Sequence, residues 1–585
     1  MTNAKMSSCL LNCMTAGFSS LRPFILLLFI QCFVLTVGGD QHDGNGQSIF
    51  QIAGTAQASE AAQPNILLIV ADDLGYSDIG AFGGEISTPT LDSLAREGLQ
   101  LTNFHVLPSC SPTRSVLMSG VDNHQAGMGT MGELKTPEME GHPGYAGYLN
   151  FEVAALPEVL KAGGYHTYMA GKWHLGHEKE TTPHARGFDE TFVLLPGGGS
   201  HWSDMKPLSP PQTMVYSRNG KKVDSLPDDF YSTTYYTDEL LKYIERNKND
   251  GKPFFAYLSY TAPHDPLHAP KKYIDKYRGK YDRGWDVLRE QRLQSLKELG
   301  VIHKDTIPFP RLASVKAWNE LSAEERAEAS RDMEVYAAMI DFMDEQIKRV
   351  FDYLKQAGEY DNTMVIFISD NGANGHLPTA YPGQTEEHLN SFDNSLENRG
   401  LQNSFIEPGP GWSQASMAPS RMFKAFTSEG GIKAPMLVKL PGKMENAGSR
   451  NHSFFHVRDI MPTILDLAGV EPGKQFEGRK VMSMQGRSVL DLFEGTVATP
   501  YAEASQVGYE LFGMKAYFVG DWKILWMPKP FGPGEWELFN LKQDPGEMND
   551  LGKQYPEKRI AMIKRWEQYK IENKVLDVSL DLAGN

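Results

Sequence analysis

The strongest candidate for chemistry in the sequence is the segment Cys-Ser-Pro-Thr-Arg at residues 110–114. Pro112 suits the first position of a helix, because its fixed φ fits there and its missing N–H would have no partner. Cys110 is then expected just ahead of the helix N-terminus, where backbone N–H groups and the helix dipole favour an anion. Arg114 would add a bidentate donor one turn further on. The segment is therefore a candidate oxyanion site.

Cys110 is expected to be the sole cysteine of the mature chain, because Cys9, Cys13 and Cys32 fall in the predicted N-terminal signal. A lone thiol cannot form an internal disulfide. Most single cysteines are inert buried side chains, so the evidence for chemistry at Cys110 has to come from the residues around it.

Further polar residues follow four predicted buried strands. They are Asp72 and Asp73 after 65–71, Lys172 and His174 after 166–170, His264 after 254–259, and Asp370 and Asn371 after 364–369. Ligands bind at the carboxyl ends of strands in open α/β sheets, so these groups are expected to meet there. Each group alone is weak evidence, since paired aspartates usually cap loops, Asp-Asn-Gly is usually a turn, and most single histidines are structural. Their coincidence favours a functional site.

The residue types indicate the chemistry of this site. The three aspartates and the asparagine offer oxygen ligands without imidazole or thiolate, a set that suits Ca²⁺ or Mg²⁺ better than zinc. Such an ion would bind an anionic substrate oxygen and activate the residue at position 110. Lys172 and Lys424 would supply positive charge to the substrate. His174 and His264 would carry protons to or from a leaving oxygen.

The sequence predicts an α/β fold with a large, mostly parallel sheet sandwiched by helices, because apolar segments of strand length alternate with helical segments. The predicted helices are 88–98, 152–161, 237–247 and 330–356. From about Met514 the pattern changes to hairpin-like strands at 515–519 and 522–526 and a helix at 556–572. This change predicts a smaller C-terminal α+β domain.

The chain is divided accordingly into four parts. They are a signal peptide or N-terminal anchor at 1–39, a flexible lead-in at 40–63, a main α/β domain at 64–470 and the smaller C-terminal domain at 471–585. The apolar run 22–37 is short for a membrane span, which favours a cleaved signal and export to the periplasm or the exterior. Two polar stretches, 266–312 and 374–419, are too long for simple connections and are expected to cover the site.

The formal net charge of −16 disfavours nucleic acid or an acidic membrane surface as a partner. If the substrate is an anion, positive charge therefore has to be concentrated locally at the site.

Six motifs resemble those of the type I sulfatases, a family of the alkaline phosphatase-like superfamily. They are Asp72-Asp73 after an apolar strand, residues 110–114 followed by Ser119-Gly120, Gly-Lys-Trp-His-Leu-Gly at 171–176, Ala-Pro-His at 262–264, Ser-Asp-Asn-Gly at 369–372 and Lys-Ala-Phe-Thr-Ser-Glu-Gly-Gly at 424–431. The resemblance is closest to the bacterial arylsulfatases. It extends from 65 to 551 and includes Asp-Pro-Gly-Glu at 544–547.

The resemblance implies that a maturation enzyme oxidises Cys110 to Cα-formylglycine, whose hydrate is the nucleophile. One hydroxyl of the hydrate would attack sulfur, and loss of the second proton would rebuild the aldehyde and expel sulfate. The resemblance also implies one Ca²⁺, with Mg²⁺ less favoured, held by residue 110 together with Asp72, Asp73, Asp370 and Asn371.

The resemblance implies roles for the remaining site residues as well. Arg114 would steady the hydrate, and Lys172 and Lys424 would bind the sulfate oxygens. His264 would protonate or stabilise the leaving oxygen, and His174 would take the proton from the second hydroxyl. Lys433 lies close to the same motif, but the family pattern places the active lysine ahead of Glu-Gly-Gly, which leaves Lys433 a structural role.

The sequence thus predicts hydrolysis of a small aryl sulfate to a phenol and sulfate. A phosphonate or phosphate ester hydrolase of the same superfamily is an alternative, because it can use a similar site. A further alternative is a binding protein in which Cys110 stays a thiol and sulfated ligands are retained uncleaved.

Overall fold

The computed structural model describes residues 63–578, except 382, 477, 500 and 502–504. The predicted signal or anchor and nearly all of the predicted lead-in lie outside the described residues. Within the described part of the chain, none of the helices has the length and apolar composition needed to span a membrane.

The described residues form seventeen strands and thirteen α-helices. The strands are β1 Asn65–Ala71, β2 Leu99–His105, β3 His166–Lys172, β4 Glu190–Leu194, β5 Tyr216–Arg218, β6 Lys221–Val223, β7 Phe254–Ser259, β8 Thr363–Ser369, β9 Lys433–Lys439, β10 Arg450–Asn451, β11 Phe455–His456, β12 Gln475–Phe476, β13 Arg479–Lys480, β14 Gln506–Leu511, β15 Met514–Val519, β16 Trp522–Trp526 and β17 Glu537–Asn540. The helices are α1 Pro89–Glu97, α2 Cys110–Ser119, α3 Leu156–Ala162, α4 Ser232–Asn247, α5 Lys271–Lys276, α6 Gly284–Glu298, α7 Ala323–Ala357, α8 Glu386–Leu389, α9 Gly409–Ser416, α10 Glu429–Ile432, α11 Ile460–Ala468, α12 Leu490–Phe493 and α13 Pro556–Glu572.

The main sheet has eleven strands in the order β10-β2-β9-β8-β1-β7-β3-β4-β5-β6, with β11 also paired to β2. Its centre, β8-β1-β7-β3-β4, is parallel. Strand β9 runs antiparallel to both β8 and β2, and β5 and β6 form an antiparallel edge. The α/β class predicted from the sequence is confirmed, and the antiparallel strands make the sheet mixed.

Helices flank this sheet in two packed groups. Helices α1, α4 and α5 contact α7, whereas α2, α3 and α11 contact one another. Strands β1, β7 and β8 are buried along their whole length. Because both faces of these central strands are covered, they are continuous apolar runs rather than alternating ones.

The longest helix, α7, begins at Ala323, seven residues before the predicted start at 330. Ser322 accepts a hydrogen bond from the Glu325 N–H at 3.0 Å, and Glu325 accepts one from the Ser322 N–H at 2.7 Å. This capping box satisfies two N–H groups of the first turn. The predicted start at 330 was set by the first apolar residues of the buried face. It therefore missed the solvent-exposed residues from Ala323 onward, which the cap stabilises.

Helix α3 begins at Leu156, four residues after the predicted start at 152. Pro157 is the second helical residue, and Glu158 accepts a hydrogen bond from the Ala155 N–H at 2.7 Å. Both features belong to a helix N-terminus, which places the start there. Helix α4 begins at Ser232, earlier than the predicted 237.

The C-terminal part contains an antiparallel sheet in the order β14-β15-β16-β17, with α13 packed on β15 and β16. The predicted hairpin of β15 and β16 is confirmed, and the helix predicted at 556–572 is α13. The division of the chain at 470/471 stays a prediction.

Candidate active site

Cys110 is the first residue of α2 and follows Ser109, which is extended. The first helical hydrogen bond runs from the Thr113 N–H to the Ser109 carbonyl at 3.2 Å. Pro112 is therefore the third helical residue and not the first, as the sequence predicted. A proline is tolerated there because N–H groups of the first turn have no partner within the helix. Cys110 has 1% of its surface exposed.

Strands β1 and β8 end side by side, and their ends carry Asp72, Asp73, Asp370 and Asn371. The Asp370 N–H donates to the carbonyl of Ala71 at 3.2 Å, and Asn371 Nδ2 donates to Asp73 Oδ1 at 2.6 Å. Asp73 has a φ of +64°, a conformation that aspartate tolerates better than most residues. The parallel register of the two strands thus brings these four side chains together.

The carboxylate and amide oxygens at these strand ends fit a hard cation, and a thiol and an imidazole lie beside them. The ligand atoms of Asp72, Asp73, Cys110 and His264 lie within 4.8 Å of one another. In the described structure, buried Asp72 Oδ1 and Asn371 Oδ1 have no hydrogen-bond partner. Unpaired buried oxygens are costly, and a Ca²⁺ or Mg²⁺ ion would satisfy them.

Arg114 holds the far side of this carboxylate group. Its Nε and Nη2 lie 2.9 and 2.7 Å from Asp370 Oδ2, and Nη2 lies 3.7 Å from Asp72 Oδ1. Burial raises the pKa of Asp370 to about 6, while the Arg114 charge opposes that shift. Arg114 contacts two predicted metal ligands, so it also balances the negative charge that they bring together.

Two lysines contact the same carboxylates from the other side. Lys172 Nζ lies 2.7 Å from Asp72 Oδ2, and Lys424 Nζ lies 2.8 Å from Asp73 Oδ1. Burial alone would raise the pKa of Asp72, but Lys172 with the neighbouring cations lowers it below its usual range. Burial would lower the pKa of Lys424, but Asp73 raises it well above its usual value. Both lysines are therefore charged at neutral pH.

His264 lies beside Lys424, with Nε2 and Nζ 3.2 Å apart. Its Nδ1 lies 2.6 Å from the Asp265 carbonyl, so Nδ1 carries a proton and donates there. Nε2 is therefore the nitrogen that faces Lys424 and Asp73. The sequence predicted His264 as a proton carrier, and the structure places it within the candidate metal cluster as well.

Glu133 is a site residue that the sequence analysis missed. Its Oε1 lies 3.0 Å from His174 Nε2, and both side chains line the cavity beside Cys110. Burial opposes the charge on both groups, yet the pair lowers the pKa of Glu133 to about 2 and raises that of His174. Glu133 lies in a short turn without a recognisable motif, so no local pattern pointed to it.

The cavity that contains Cys110 has a volume of about 90 Å³. Its outer wall comes from segments 131–134, 208–212 and 374–381 and from Phe512. The predicted cover at 374–419 thus contributes in part, whereas the cover predicted at 266–312 is wrong. That stretch contains α5 and α6, which pack against α7 and α9, and none of its residues lines the cavity.

Lys433 lies apart from the cavity, with its Nζ 5.5 Å from the centre of the Tyr76 ring.

A buried ion network that the sequence analysis missed lies near Lys433. Lys523 Nζ is 3.0 Å from Glu429 Oε1 and 2.7 Å from Glu547 Oε1. Because Lys523 belongs to β16 and Glu429 to α10, the network joins the C-terminal sheet to the loop that carries Lys424.

A mixed sheet whose parallel strands end in carboxylates and histidines around a buried cysteine, with two lysines beside them, is the alkaline phosphatase-like fold with a candidate anion site. The family profile "Sulfatase" matches residues 64–470, and the profile "N-sulphoglucosamine sulphohydrolase, C-terminal" matches residues 421–574. The chain belongs to the sulfatase family.

Two relatives match over most of their length. An uncharacterized sulfatase of Schizosaccharomyces pombe is 46% identical over 541 residues, covering 90% of this chain and 97% of the relative. An arylsulfatase of Klebsiella aerogenes is 40% identical over 441 residues, covering 75% of this chain and 94% of the relative. These matches confirm the resemblance seen in the motifs and support sulfate ester hydrolysis.

Solved structures show the same fold. The crystal structure of Ps i-CgsB in complex with k-i-k-neocarrahexaose aligns with a TM-score of 0.62 and 23% identity, covering 89% of this chain and 96% of that chain. The phosphonate monoester hydrolase of Agrobacterium radiobacter aligns with a TM-score of 0.53 and 18% identity, covering 87% and 96%.

Proposed function

We propose that this protein is an arylsulfatase, which converts an aryl sulfate and water to a phenol and sulfate. The observation that carries the proposal is the buried position of Cys110 at a helix N-terminus, beside the carboxylates of Asp72 and Asp73 and the two charged lysines that contact them. A thiol is a poor ligand for a hard cation, whereas an oxygen nucleophile is a good one. Cys110 is accordingly the precursor of Cα-formylglycine, made by a maturation enzyme.

The proposed cation is one Ca²⁺, held by Asp72, Asp73, Asp370 and Asn371 together with the modified residue 110. When bound, it supplies Lewis-acid stabilisation to an anionic substrate oxygen. The side-chain oxygens of Asp72 and Asn371 that lack partners support this assignment.

Lys172 and Lys424 bind the sulfate oxygens in this proposal. Their ammonium groups are held by carboxylates at the floor of the site, so their positions are fixed before substrate arrives. Preorganised charge of this kind stabilises a transition state more than flexible charge does. The near-complete burial of both lysines also excludes water from the charges that they present.

The two histidines move protons in this proposal. His264 is fixed by its Nδ1 hydrogen bond and presents Nε2 to the leaving oxygen. His174 is oriented by Glu133 and takes the proton from the second hydroxyl of the hydrate. A formylglycine hydrate supplies two hydroxyls, so the second step needs no attacking water. Arg114 holds Asp370 and would steady the hydrate.

Turnover of matched esters tests the proposal. Mature protein should hydrolyse 4-nitrophenyl sulfate with a higher kcat/KM than 4-nitrophenyl phosphate or a phenyl phosphonate ester. The likeness in fold to a phosphonate monoester hydrolase makes this comparison necessary. A preference for phosphate or phosphonate would overturn the proposal in favour of the other hydrolase class. Binding of an aryl sulfate without turnover would favour a binding protein that retains Cys110 as a thiol.

The proposal includes an exported protein, either periplasmic or secreted, with an N-terminal signal or anchor. The apolar run at 22–37 in the sequence supports it. Fractionation of the native host, with mass spectrometry of the mature N-terminus, tests both points. A cytoplasmic protein would contradict export, and an N-terminus near residue 39 would indicate a cleaved signal.

A further inference from the structure

Phe512 reaches the cavity around Cys110 from the C-terminal sheet. It lies between β14 and β15, and the register pairs Leu511 with Met514, so Phe512 and Gly513 form a two-residue hairpin turn. The side chain lines the cavity and has 4% of its surface exposed. The C-terminal sheet thus contributes an aromatic ring to a site whose other groups come from the main sheet and its loops.

The turn holds Phe512 in an unfavourable backbone conformation. Its φ is +56°, and that of Gly513 is +82°. Two successive positive φ values are the pattern of a type I′ turn, which favours asparagine, aspartate or glycine at its first position. A bulky residue there is an outlier, and backbone strain of this kind gathers at ligand sites. Asparagine would suit the turn better, so stability of the turn does not explain the phenylalanine.

The turn is anchored from within. The Gly513 N–H donates to Glu510 Oε1 at 2.8 Å, and Glu510 Oε2 lies 3.1 Å from His124 Nε2. His124 is buried and also contacts Asp122. These hydrogen bonds involve the Gly513 backbone and the Glu510 side chain, and none involves the phenyl ring. They therefore fix the backbone of the turn that carries Phe512.

The cavity that Phe512 lines has both apolar and polar walls. Met131, Leu134 and Leu208 supply apolar side chains, and Gln212, Asn374, His376 and Tyr381 are among the polar ones. Among the described residues that line it, Lys424 is the only lysine or arginine. Apart from the histidines, a leaving group with further sulfates or carboxylates would meet no additional cationic side chain there. The volume of about 90 Å³ holds a few water-sized groups, enough for one ring of a substrate.

We propose that Phe512 determines specificity for the leaving group by packing its ring against a single uncharged aromatic ring of the substrate. The inference rests on the proposed sulfatase function and adds the residue that selects among sulfate esters. Packing of two aromatic rings adds to the burial of apolar surface, so an aryl ester gains more from Phe512 than a short alkyl ester does.

The test compares mature wild-type protein with Phe512→Asn and Phe512→Leu. Asparagine is favoured in the turn, but Phe512 is buried in the hydrophobic core, so Phe512→Asn should lower the thermal unfolding midpoint and is assayed at a temperature at which it stays folded. It should nevertheless lower kcat/KM for 4-nitrophenyl sulfate by roughly tenfold, mainly through KM, and change kcat/KM for propyl sulfate much less. Phe512→Leu retains apolar bulk on the same backbone and should fall between the two. A ratio of aryl to alkyl turnover that declines from Phe to Leu to Asn supports the inference.

Two results would overturn the inference. The first is an unchanged aryl-to-alkyl ratio in Phe512→Asn while wild-type protein hydrolyses sulfate esters, which leaves the proposed function standing. The second is an equal loss of all substrates with a lowered unfolding midpoint in both variants, which would make Phe512 a core residue only. Wild-type protein that hydrolyses no sulfate ester would overturn the proposed function together with the inference.

Discussion

Lys424 Nζ lies 2.8 Å from Asp73 Oδ1, and the contact joins a loop before β9 to the end of β1. Positive φ values at Met422 and Ala425, on either side of the lysine segment, turn the loop toward the sheet. The hydrogen bond from the Lys424 N–H to the Ala373 carbonyl, at 3.0 Å, fixes the backbone. The lysine is therefore held in place by both its side chain and its main chain.

Replacing Lys424 should weaken catalysis more than folding. Lys424→Ala removes a preorganised charge from the sulfate site, and we expect kcat/KM for an aryl sulfate to fall by about 10²–10³. Lys433→Met is the matched control, because Lys433 lies close in sequence but outside the cavity. Steady-state kinetics corrected for the folded fraction measure both. Equal losses in the two variants would contradict the assignment of Lys424 to the substrate.

Cys110→Ser should stop turnover after the first step. A serine hydroxyl can attack sulfur, but it lacks the second hydroxyl whose deprotonation would release sulfate. We expect an enzyme that is nearly inactive or that accumulates a sulfated serine, detected as added mass on the peptide containing residue 110. Normal multiple turnover by this variant would contradict the two-hydroxyl mechanism.

Removal of the cation should lower both activity and stability. Treatment with EGTA should abolish most aryl sulfate turnover, and Ca²⁺ should restore it better than Mg²⁺ does. Independently of activity, saturating Ca²⁺ at about 100 times its Kd should stabilise the fold by about 2.7 kcal/mol, which raises the unfolding midpoint. Asn371→Leu should reduce that shift. Full activity in protein shown by metal analysis to hold no cation would contradict the assignment.

Stability should decline at alkaline pH through His124. Burial opposes its charge, but hydrogen bonds to Asp122 and Glu510 raise the pKa of His124 to about 9. Because this pKa lies above the unfolded value, the stabilisation is complete below about pH 6.5 and is lost as pH rises through about 9. The shift corresponds to about 3 kcal/mol. His124→Gln should be less stable than wild type at pH 6, and the difference should shrink by pH 10, as measured by denaturant unfolding.

A pH-independent difference between His124→Gln and wild type would contradict this origin of the stability. The comparison of the two proteins at each pH cancels the titration of other groups that both proteins share.

The buried ion network around Lys523 should support the fold from the C-terminal side. Lys523→Met leaves the carboxylates of Glu429 and Glu547 without their shared cation, and unpaired buried charges typically cost about 3–5 kcal/mol. Chemical denaturation measures this loss. Glu547→Gln keeps the shape of the side chain and should cost less, because one carboxylate remains paired with Lys523. Losses below about 1 kcal/mol in both variants would contradict a stabilising role.

Local patterns in the sequence predicted the elements that carry the site. The apolar run of β1 and the helix α13 have the predicted bounds, because burial on both faces and a helix-starting proline leave clear local signals. The residues at or just after the ends of β1, β3, β7 and β8 lie close together as expected, since parallel strands end at one edge. The starts of α2 and α7 differ from the predicted ones. Helix α2 tolerates Pro112 at its third position, and the cap at Ser322 starts α7 earlier than its apolar face indicates.

Glu133 and Phe512 could not be found in the same way. Each reaches the cavity from a turn whose sequence has no motif, and each depends on contacts between segments distant in the chain. The cover predicted at 266–312 failed for a related reason. A polar, irregular composition indicates a long insertion, but only the packing of α5 and α6 on their neighbours shows where it lies.

The mass of the peptide that contains residue 110, taken from mature protein with measured aryl sulfate turnover, tests the central claim most directly. The account predicts an aldehyde at residue 110, seen as the exchange of H₂S for oxygen and confirmed by reaction with a hydrazide probe. The aldehyde content should rise in proportion to specific activity across preparations. Fully active protein with an unmodified thiol at Cys110 would contradict the account.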